Sequence, residues 1–497
     1  MNLKHMEAII FLSGLCLLAL LSGLLIWFVT PYGAGIYYDS LGYVSAARNF
    51  SSGLGLVRLS CDSVEPMTRY PPLYSLFLSV FGFFGSDIIS GARFLDIVCM
   101  AGTVIMTGLI TLRIANNKIF ALLAAFTIFI SPVVIEQNSW VMSESLFMFF
   151  MLSSIFLFDH YIITNFLKFL VLAAVLASLA VLTRFVGLAL ILSCILILIV
   201  QLKGKYRVLD NKFIRPLVLF CSITLFPLAL WLLRNKTVSG SATGRTVGWY
   251  LFSPDRIIPL AYIAKWFVPW DGNLVWNWKA MLILMVLSIC FAMLCLGLIK
   301  FKKNSSLLKA VIVNIVVYLG LVLLLMAVAD PLTPLDNRLL LPVYILTVIL
   351  IISGISYLWS LSNWVYKTAA VMLMVYIVVF QSYQSVSLVK SLREDGQFYA
   401  SSSWRNSEVT TTLIALNPQK IYTNDMTAVY FGTYHPSCII PLENDQIGLN
   451  KFIADITNDP NMVIAIYSKT KSGFTHPDLF NDGLNELILS DGIIYTH

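Results

Sequence analysis

Hydrophobic positions run in long unbroken blocks along this chain, and polar residues collect in the gaps between them. Blocks long enough to cross a bilayer fall at about 9–29, 88–112, 119–135, 141–162, 167–182, 185–202, 216–233, 280–299, 307–329, 339–359 and 365–384. They predict about eleven transmembrane helices. The first block is too long for the core of a signal peptide and lacks a small-residue cleavage site, so it reads as a retained helix. Past Val386 the sequence turns mixed and polar. Strand-like segments at Lys420–Thr423, Met462–Ser468 and Gly492–Tyr495, with a helical pattern near Leu449–Thr457, predict a small α/β domain. The expected domains are therefore a membrane domain over 1–386 and an α/β domain over 387–497. One gap, 31–87, is far longer than a tether between two helices requires, and it places Asp39 just after the first span with Arg48 shortly beyond. Such a loop can form a re-entrant or amphipathic surface over the bilayer, where a carboxylate is a functional candidate.

Composition removes the soluble alternatives. Hydrophobic residues make up 58% of the chain and charged residues 12%, more apolar surface than a soluble protein of this length can hide. The net charge of +7 does not imply a nucleic-acid partner, because the basic residues are scattered between the spans. With the N-terminus in the cytoplasm, the inner loops hold Arg113 and Lys118, Lys168, the run from Lys203 to Arg215, Lys300 to Lys309, and Lys367. The short loops near Glu136 and Asp330 hold few positive charges, and the C-terminus falls outside.

This sorting exposes a second pattern. Inner basic residues are mostly lysine, whereas outer ones are mostly arginine near span ends: Arg48, Arg69, Arg93, Arg184, Arg234, Arg245 and Arg338. A guanidinium fork suits phosphate and carboxylate, where an ammonium is a point charge. Snorkelling at the interface accounts for any single arginine. The set, on one face with Asp39, Glu144 and Asp336, is better explained by an anionic ligand. Six of the eight cysteines fall within spans as small hydrophobes. Cys61 and Cys438 lie in loops, where two free thiols are expected and a disulfide is the alternative if both are extracytoplasmic. No spacing suggests zinc, none of His160, His435 and His476 has a ligand-like neighbour, and no glycine loop cradles a phosphate.

Six segments, each weak alone, resemble the GT-C superfamily of membrane glycosyltransferases, of the kind that includes the protein O-mannosyltransferases and the lipid A aminoarabinose transferase. They are Tyr38-Asp39 with Ala46-Ala47-Arg48 and Gly53-Leu54-Gly55; Tyr70-Pro71-Pro72-Leu73-Tyr74-Ser75; Ser139 to Ser145 around Glu144; Thr183-Arg184-Phe185-Val186-Gly187; Trp231 to Asn235 around Arg234; and Asp336-Asn337-Arg338 through Pro342. They occur in the family's order, over roughly residues 1–385, and all are expected on the outer side. There are departures. Asp39 is followed by Ser40 where many members have an acidic pair, Glu144 stands where relatives often have Asp, and Ser139 stands where an arginine is common in the mannosyltransferases. They leave the donor sugar and metal dependence open.

The resemblance implies an inverting transfer from a polyprenyl-phosphate sugar to an envelope acceptor, on the outer side of a bacterial inner membrane. A phosphate leaving group departs without a general acid. The protein must then supply a base for the acceptor hydroxyl and positive charge for the released phosphate. Asp39 fits the base. Glu144 fits a residue that orients the acceptor or loop, holds a divalent cation, or pairs with an arginine. Arg69 and Arg338, then Arg184 and Arg234, fit the phosphate, with Tyr38, Arg48, Tyr70 and Trp140 lining the substrate path. Two other readings remain: a polysaccharide polymerase or O-antigen ligase, which would centre its arginines on a late loop, and a lipid-linked glycan transporter or flippase. The latter would show two pseudo-symmetric halves.

Overall fold

The computed structural model describes residues 3–60, 63–208, 210–245, 248–249, 263, 265–268, 278–301, 305–328, 335–441, 445–470 and 484–497. The long first helix α1 (Leu3–Val29) leads into a short one, α2 (Tyr38–Ser51). The strands β1 (Val57–Ser60) and β2 (Ser63–Pro66) pair antiparallel, and α3 (Leu73–Phe83) follows. Next come α4 (Ile88–Ala115), α5 (Lys118–Phe129), α6 (Pro132–Gln137), α7 (Glu144–Thr164), α8 (Leu167–Thr183), α9 (Leu188–Lys203) and α10 (Asn211–Ser239). The remaining long helices are α11 (Trp278–Phe301), α12 (Ser306–Val328), α13 (Asn337–Ser360) and α14 (Trp364–Asp395). The C-terminal segment runs α15 (Ser402–Arg405), α16 (Glu408–Leu416), β3 (Lys420–Thr423), α17 (Met426–Thr433), β4 (Cys438–Ile439), α18 (Gln446–Asn458), β5 (Met462–Tyr467), β6 (Asn485–Leu489) and β7 (Gly492–Thr496).

Each block expected to span the bilayer is mostly helical where it is described. Among the described residues eight helices are long and apolar enough to cross, and the chain is an integral membrane protein. The block at 119–135 breaks in two, because Pro132 cannot continue α5 and instead starts α6 behind its N-cap Ser131. α8 has only 17 residues, and α14 runs nine residues past Val386, to Asp395. The apolar helix α3 lies inside the first loop, where no helix was expected.

By contacts the chain divides into two compact units, and they do not follow its order. One comprises residues 1–29, 68–74 and 92–391; the other comprises 30–67, 75–91 and 392–497. Most of the first loop therefore belongs with the C-terminal segment.

In the first unit α13 is the core helix. Its most apolar 18-residue window is 94% buried, as a helix hydrophobic on all sides requires. Asp336 caps it, accepting from the Leu339 N–H at 3.0 Å, and so fixes where the helix begins and where Arg338 stands. Between α8 and α9 the chain breaks. Arg184 is extended (φ −148, ψ 131) and a single 3₁₀ turn, Phe185–Gly187, restarts the helix. Gly187 makes that break, since a Cβ there would lie 2.7 Å from both the Cα and the N of Val181.

The second unit carries a five-stranded sheet, in order β4-β3-β5-β7-β6. β3 runs parallel to β4 and β5, while β7 is antiparallel to β5 and β6. Strand alternation sorts its two cores. Ile421, Val463 and Ala465 pack with Val409 and Leu413 of α16 and Val429 of α17. Tyr422 and Ile464 pack on the other face with Phe452 of α18. This is the small α/β fold that the sequence implied. Cys438, expected as a free thiol, is disulfide-bonded, and Cys61 lies outside the described residues.

Because the atoms facing Gly187 are backbone, they cannot swing aside. Gly187→Ala is expected to destabilise the chain by about 1–3 kcal/mol, read as a lower melting temperature in detergent; an unchanged melting temperature would show that the α8–α9 break is soft.

Candidate functional site

The first unit gathers three sequence candidates. Glu144 opens α7, where a helix N-terminus favours negative charge, and its side chain is 3% exposed. It pairs with Arg184, and its Oε1 lies 3.6 Å from Nε of Arg338. Arg184 also donates through Nη1 to the Ser143 hydroxyl at 3.4 Å. The arrangement follows from where three helices start or stop: α7 begins at Glu144, α8 ends one residue before Arg184, and α13 begins one residue before Arg338. Glu144 is thus the buried partner of two arginines.

Further carboxyls surround this group. The Ser145 hydroxyl donates to Asp96 Oδ1 at 2.7 Å, and Asp96 is fully buried within α4. Sequence reasoning missed Asp96, although a carboxylate inside a span was the signal that could have found it. Burial raises the Asp336 carboxyl above its usual range, Arg338 opposes that rise, and the Glu144 charge adds to it. Burial, then the Asp336 charge, push Glu136 up to about 6. The Tyr318 hydroxyl donates to the Leu339 carbonyl at 2.8 Å, tying α12 to the start of α13.

A second grouping in the same unit joins Arg69 and Arg234. Buried Asn235 donates to the Thr68 carbonyl at 3.3 Å and to the Ala242 carbonyl at 3.0 Å. Arg234 donates to Asn235 Oδ1 at 3.1 Å and lies 4.9 Å from the centre of the Trp231 ring. Gly244, at φ +61, backs onto the Thr68–Arg69 segment so closely that a Cβ would come within 2.7 Å of Thr68 Oγ1. Arg69 itself is exposed and has no ion pair among the described residues. Tyr70 is half-buried, and Trp140 is buried at 7% exposure. Arg93 is an anchor instead, donating to the Trp27 carbonyl at 2.6 Å and lying over its ring.

The second unit holds Tyr38, Asp39 and Arg48, all on α2. Asp39 is half-buried in the first turn, and it is not the cap: the Tyr37 N–H donates to Ser40 Oγ at 2.9 Å. Tyr38 is exposed. Arg48 lies over the rings of Tyr430 and Tyr434, 3.9 Å from Asp87.

Among the described residues, no group of three or more His, Cys, Asp or Glu side chains could hold a metal ion. Glu144 is engaged by two guanidiniums, whose planar forks suit an anionic group.

Residues 32–241 match the family described as dolichyl-phosphate-mannose-protein mannosyltransferase. No curated protein matches the chain by sequence. Among solved structures, ArnT from Cupriavidus metallidurans in the apo state aligns with a TM-score of 0.63 at 11% identity, over 99% of this chain and 98% of that one. The same protein bound to undecaprenyl phosphate aligns with a TM-score of 0.63 at 13% identity, over 98% and 97%. The archaeal oligosaccharyltransferase AglB from Archaeoglobus fulgidus, in complex with an inhibitory peptide and a dolichol-phosphate, gives 0.60 at 12% identity, over 93% and 70%. The fold is therefore that of the GT-C membrane glycosyltransferases.

Removing Glu144 leaves two poorly solvated guanidiniums facing each other. Glu144→Ala is expected to destabilise the protein by about 3–5 kcal/mol, seen as a lower melting temperature in detergent; a loss below 1 kcal/mol would show the pair to be solvated. Glu136 supplies a pH test. Its carboxyl is raised from 4.5 to about 6, so its favourable contribution is full below 4.5 and is lost as pH rises through 6. The protein should melt at a higher temperature at pH 5 than at pH 7.5, and Glu136→Gln should reduce that difference.

Proposed function

We propose that this chain, a membrane protein with the GT-C fold, transfers a sugar from a polyprenyl-phosphate donor to an acceptor in the cell envelope. The observation that carries the reading is the pair of arginines, Arg184 and Arg338, that converge on one buried carboxylate, Glu144. A released polyprenyl phosphate needs such charge, and it departs without a proton from the protein. Arg69, exposed and without an ion pair among the described residues, and Arg234 beside it add cations for the same group. Two similarities support the donor class: the region matched by the dolichyl-phosphate-mannose family, and the ArnT structure bound to undecaprenyl phosphate.

In this reading Asp39 is the general base. It takes the proton of the acceptor hydroxyl as the new glycosidic bond forms and the sugar–phosphate bond breaks. A single in-line displacement inverts the anomeric centre. Glu144 orients the arginines rather than reacting. Tyr38, Tyr70, Arg48 and Trp140 serve as substrate lining or its support.

The reaction takes place on the outer side of a bacterial inner membrane, with the N-terminus in the cytoplasm and the C-terminus outside. The lysine-rich loops on one side support this orientation. So does the disulfide of Cys438, since such bonds persist in oxidising compartments. The sugar is a hexose or pentose, and the acceptor is a lipid, glycan or protein.

The test is to incubate purified protein with radiolabelled polyprenyl-phosphate sugars and an envelope extract, following release of polyprenyl phosphate. Wild type should release it from one donor of the panel. Asp39→Asn should slow release by about 10²–10⁴-fold while remaining folded and inserted; full activity in that variant would remove Asp39 as the base.

A further inference from the structure

The sheet of the second unit reverses its connections between two neighbouring strands. The chain leaves β3 toward α17 and β4 on one side, and it leaves β5 toward β6 and β7 on the other. In open α/β sheets, the carboxyl ends of such a pair are where ligands are held. Here the chain's own side chains fill that place. Asn424, directly after β3, accepts from the Tyr467 N–H at 2.8 Å and donates to the Tyr467 carbonyl at 2.9 Å and the Thr470 carbonyl at 3.1 Å. Asp425 beside it is 3% exposed. One of its oxygens accepts from the Ala428 N–H at 2.9 Å. The other accepts from the Thr470 hydroxyl at 2.6 Å and the Tyr399 hydroxyl at 2.7 Å.

Tyr399 is the link to the first loop. Its ring meets that of Tyr38 edge-on, with centroids 5.5 Å apart. The contact thus runs from Asp425 through Tyr399 to Tyr38, and Asp39 is the next residue along α2. Burial, then the Asp425 charge, push the Tyr399 phenol up, which keeps it a donor. The backbone reinforces the contact, with the Tyr399 N–H donating to the Ile36 carbonyl at 3.2 Å and Phe398 edge-on to Tyr37 at 5.0 Å. The far end of α2 is held by the same sheet layer. Arg48 lies 4.1 Å from the centre of the Tyr434 ring and 5.4 Å from that of Tyr430, at the end of α17.

We propose that the carboxyl edge of this sheet is a two-point clasp on α2 that fixes the Asp39 carboxylate, making Tyr399 and Asp425 positioning residues for the transfer. The inference rests on the reading of Asp39 as the base. A general base must be held to a fraction of an ångström, and an error of about 1 Å costs about 100-fold in rate. The clasp acts on the mount of the base, so loosening it changes turnover and leaves donor affinity alone.

The experiment compares Tyr399→Phe with Tyr422→Phe. The second removes a similar buried hydroxyl, bonded to Asp455 at 2.6 Å, from the opposite face of the same sheet. Turnover is measured with undecaprenyl-phosphate mannose and undecaprenyl-phosphate aminoarabinose plus envelope extract. Amide hydrogen exchange over residues 38–44 is measured on the same samples. Tyr399→Phe should lower kcat by about 10-fold with KM for the donor unchanged, and it should speed exchange in that segment; Tyr422→Phe should do neither. Equal effects from the two variants, or a change in KM alone, would overturn the clasp, as would unchanged exchange in Tyr399→Phe. Asp39→Asn with full turnover would instead overturn the base reading, while faster exchange in Tyr399→Phe would still report the clasp.

Discussion

A carboxylate buried between two guanidiniums organises the first unit around Glu144. Apolar helices supply packing and the membrane's length, and at three helix ends opposite charges meet. α7 begins at Glu144, the α8–α9 break leaves Arg184 extended, and Asp336 starts α13 so that Arg338 falls in its first turn. Such a group is weak evidence of stability, because desolvation offsets much of the attraction. Its retention in an apolar setting is better explained by use. The pairing also preorganises the arginines, which would otherwise splay apart by mutual repulsion.

The second unit works on different physics. Its sheet is held by two apolar layers, and one polar cluster sits at the carboxyl ends of β3 and β5. There Asn424 and Asp425 bind the chain itself, and aromatic rings carry the contact on to α2. A helix of 14 residues is marginal alone. Gripped at Tyr38 and Arg48, it becomes a defined mount for Asp39.

Much of this was legible in the sequence, for reasons that differ by residue. The blocks of apolar residues gave helices, since a bilayer sets their length and leaves little room for alternatives. The convergence on Glu144 was legible in part, because span ends place Arg184 and Arg338 at the same level of the membrane. That Glu144 takes both was not legible, as it depends on where α8 breaks. The short helix α3 was hidden within a loop, and Pro132 cut a block that hydropathy alone read as one. The grip on Tyr38 left no local trace, because Tyr399 and Asp425 lie at the opposite end of the chain and are brought near only by the sheet. Cys438 was expected to be a free thiol, and spacing alone does not reveal its disulfide.

The central claim is that arginines already paired with Glu144 still receive a polyprenyl phosphate. The direct measurement is binding of undecaprenyl phosphate to purified wild type, Arg184→Gln and Arg338→Gln, with undecaprenol as the uncharged control. The expected result is that wild type prefers the phosphate to the alcohol and that each substitution weakens phosphate binding by about 10-fold or more, as loss of a charged hydrogen bond implies. Equal binding of phosphate and alcohol, or undiminished phosphate binding in both variants, would contradict it.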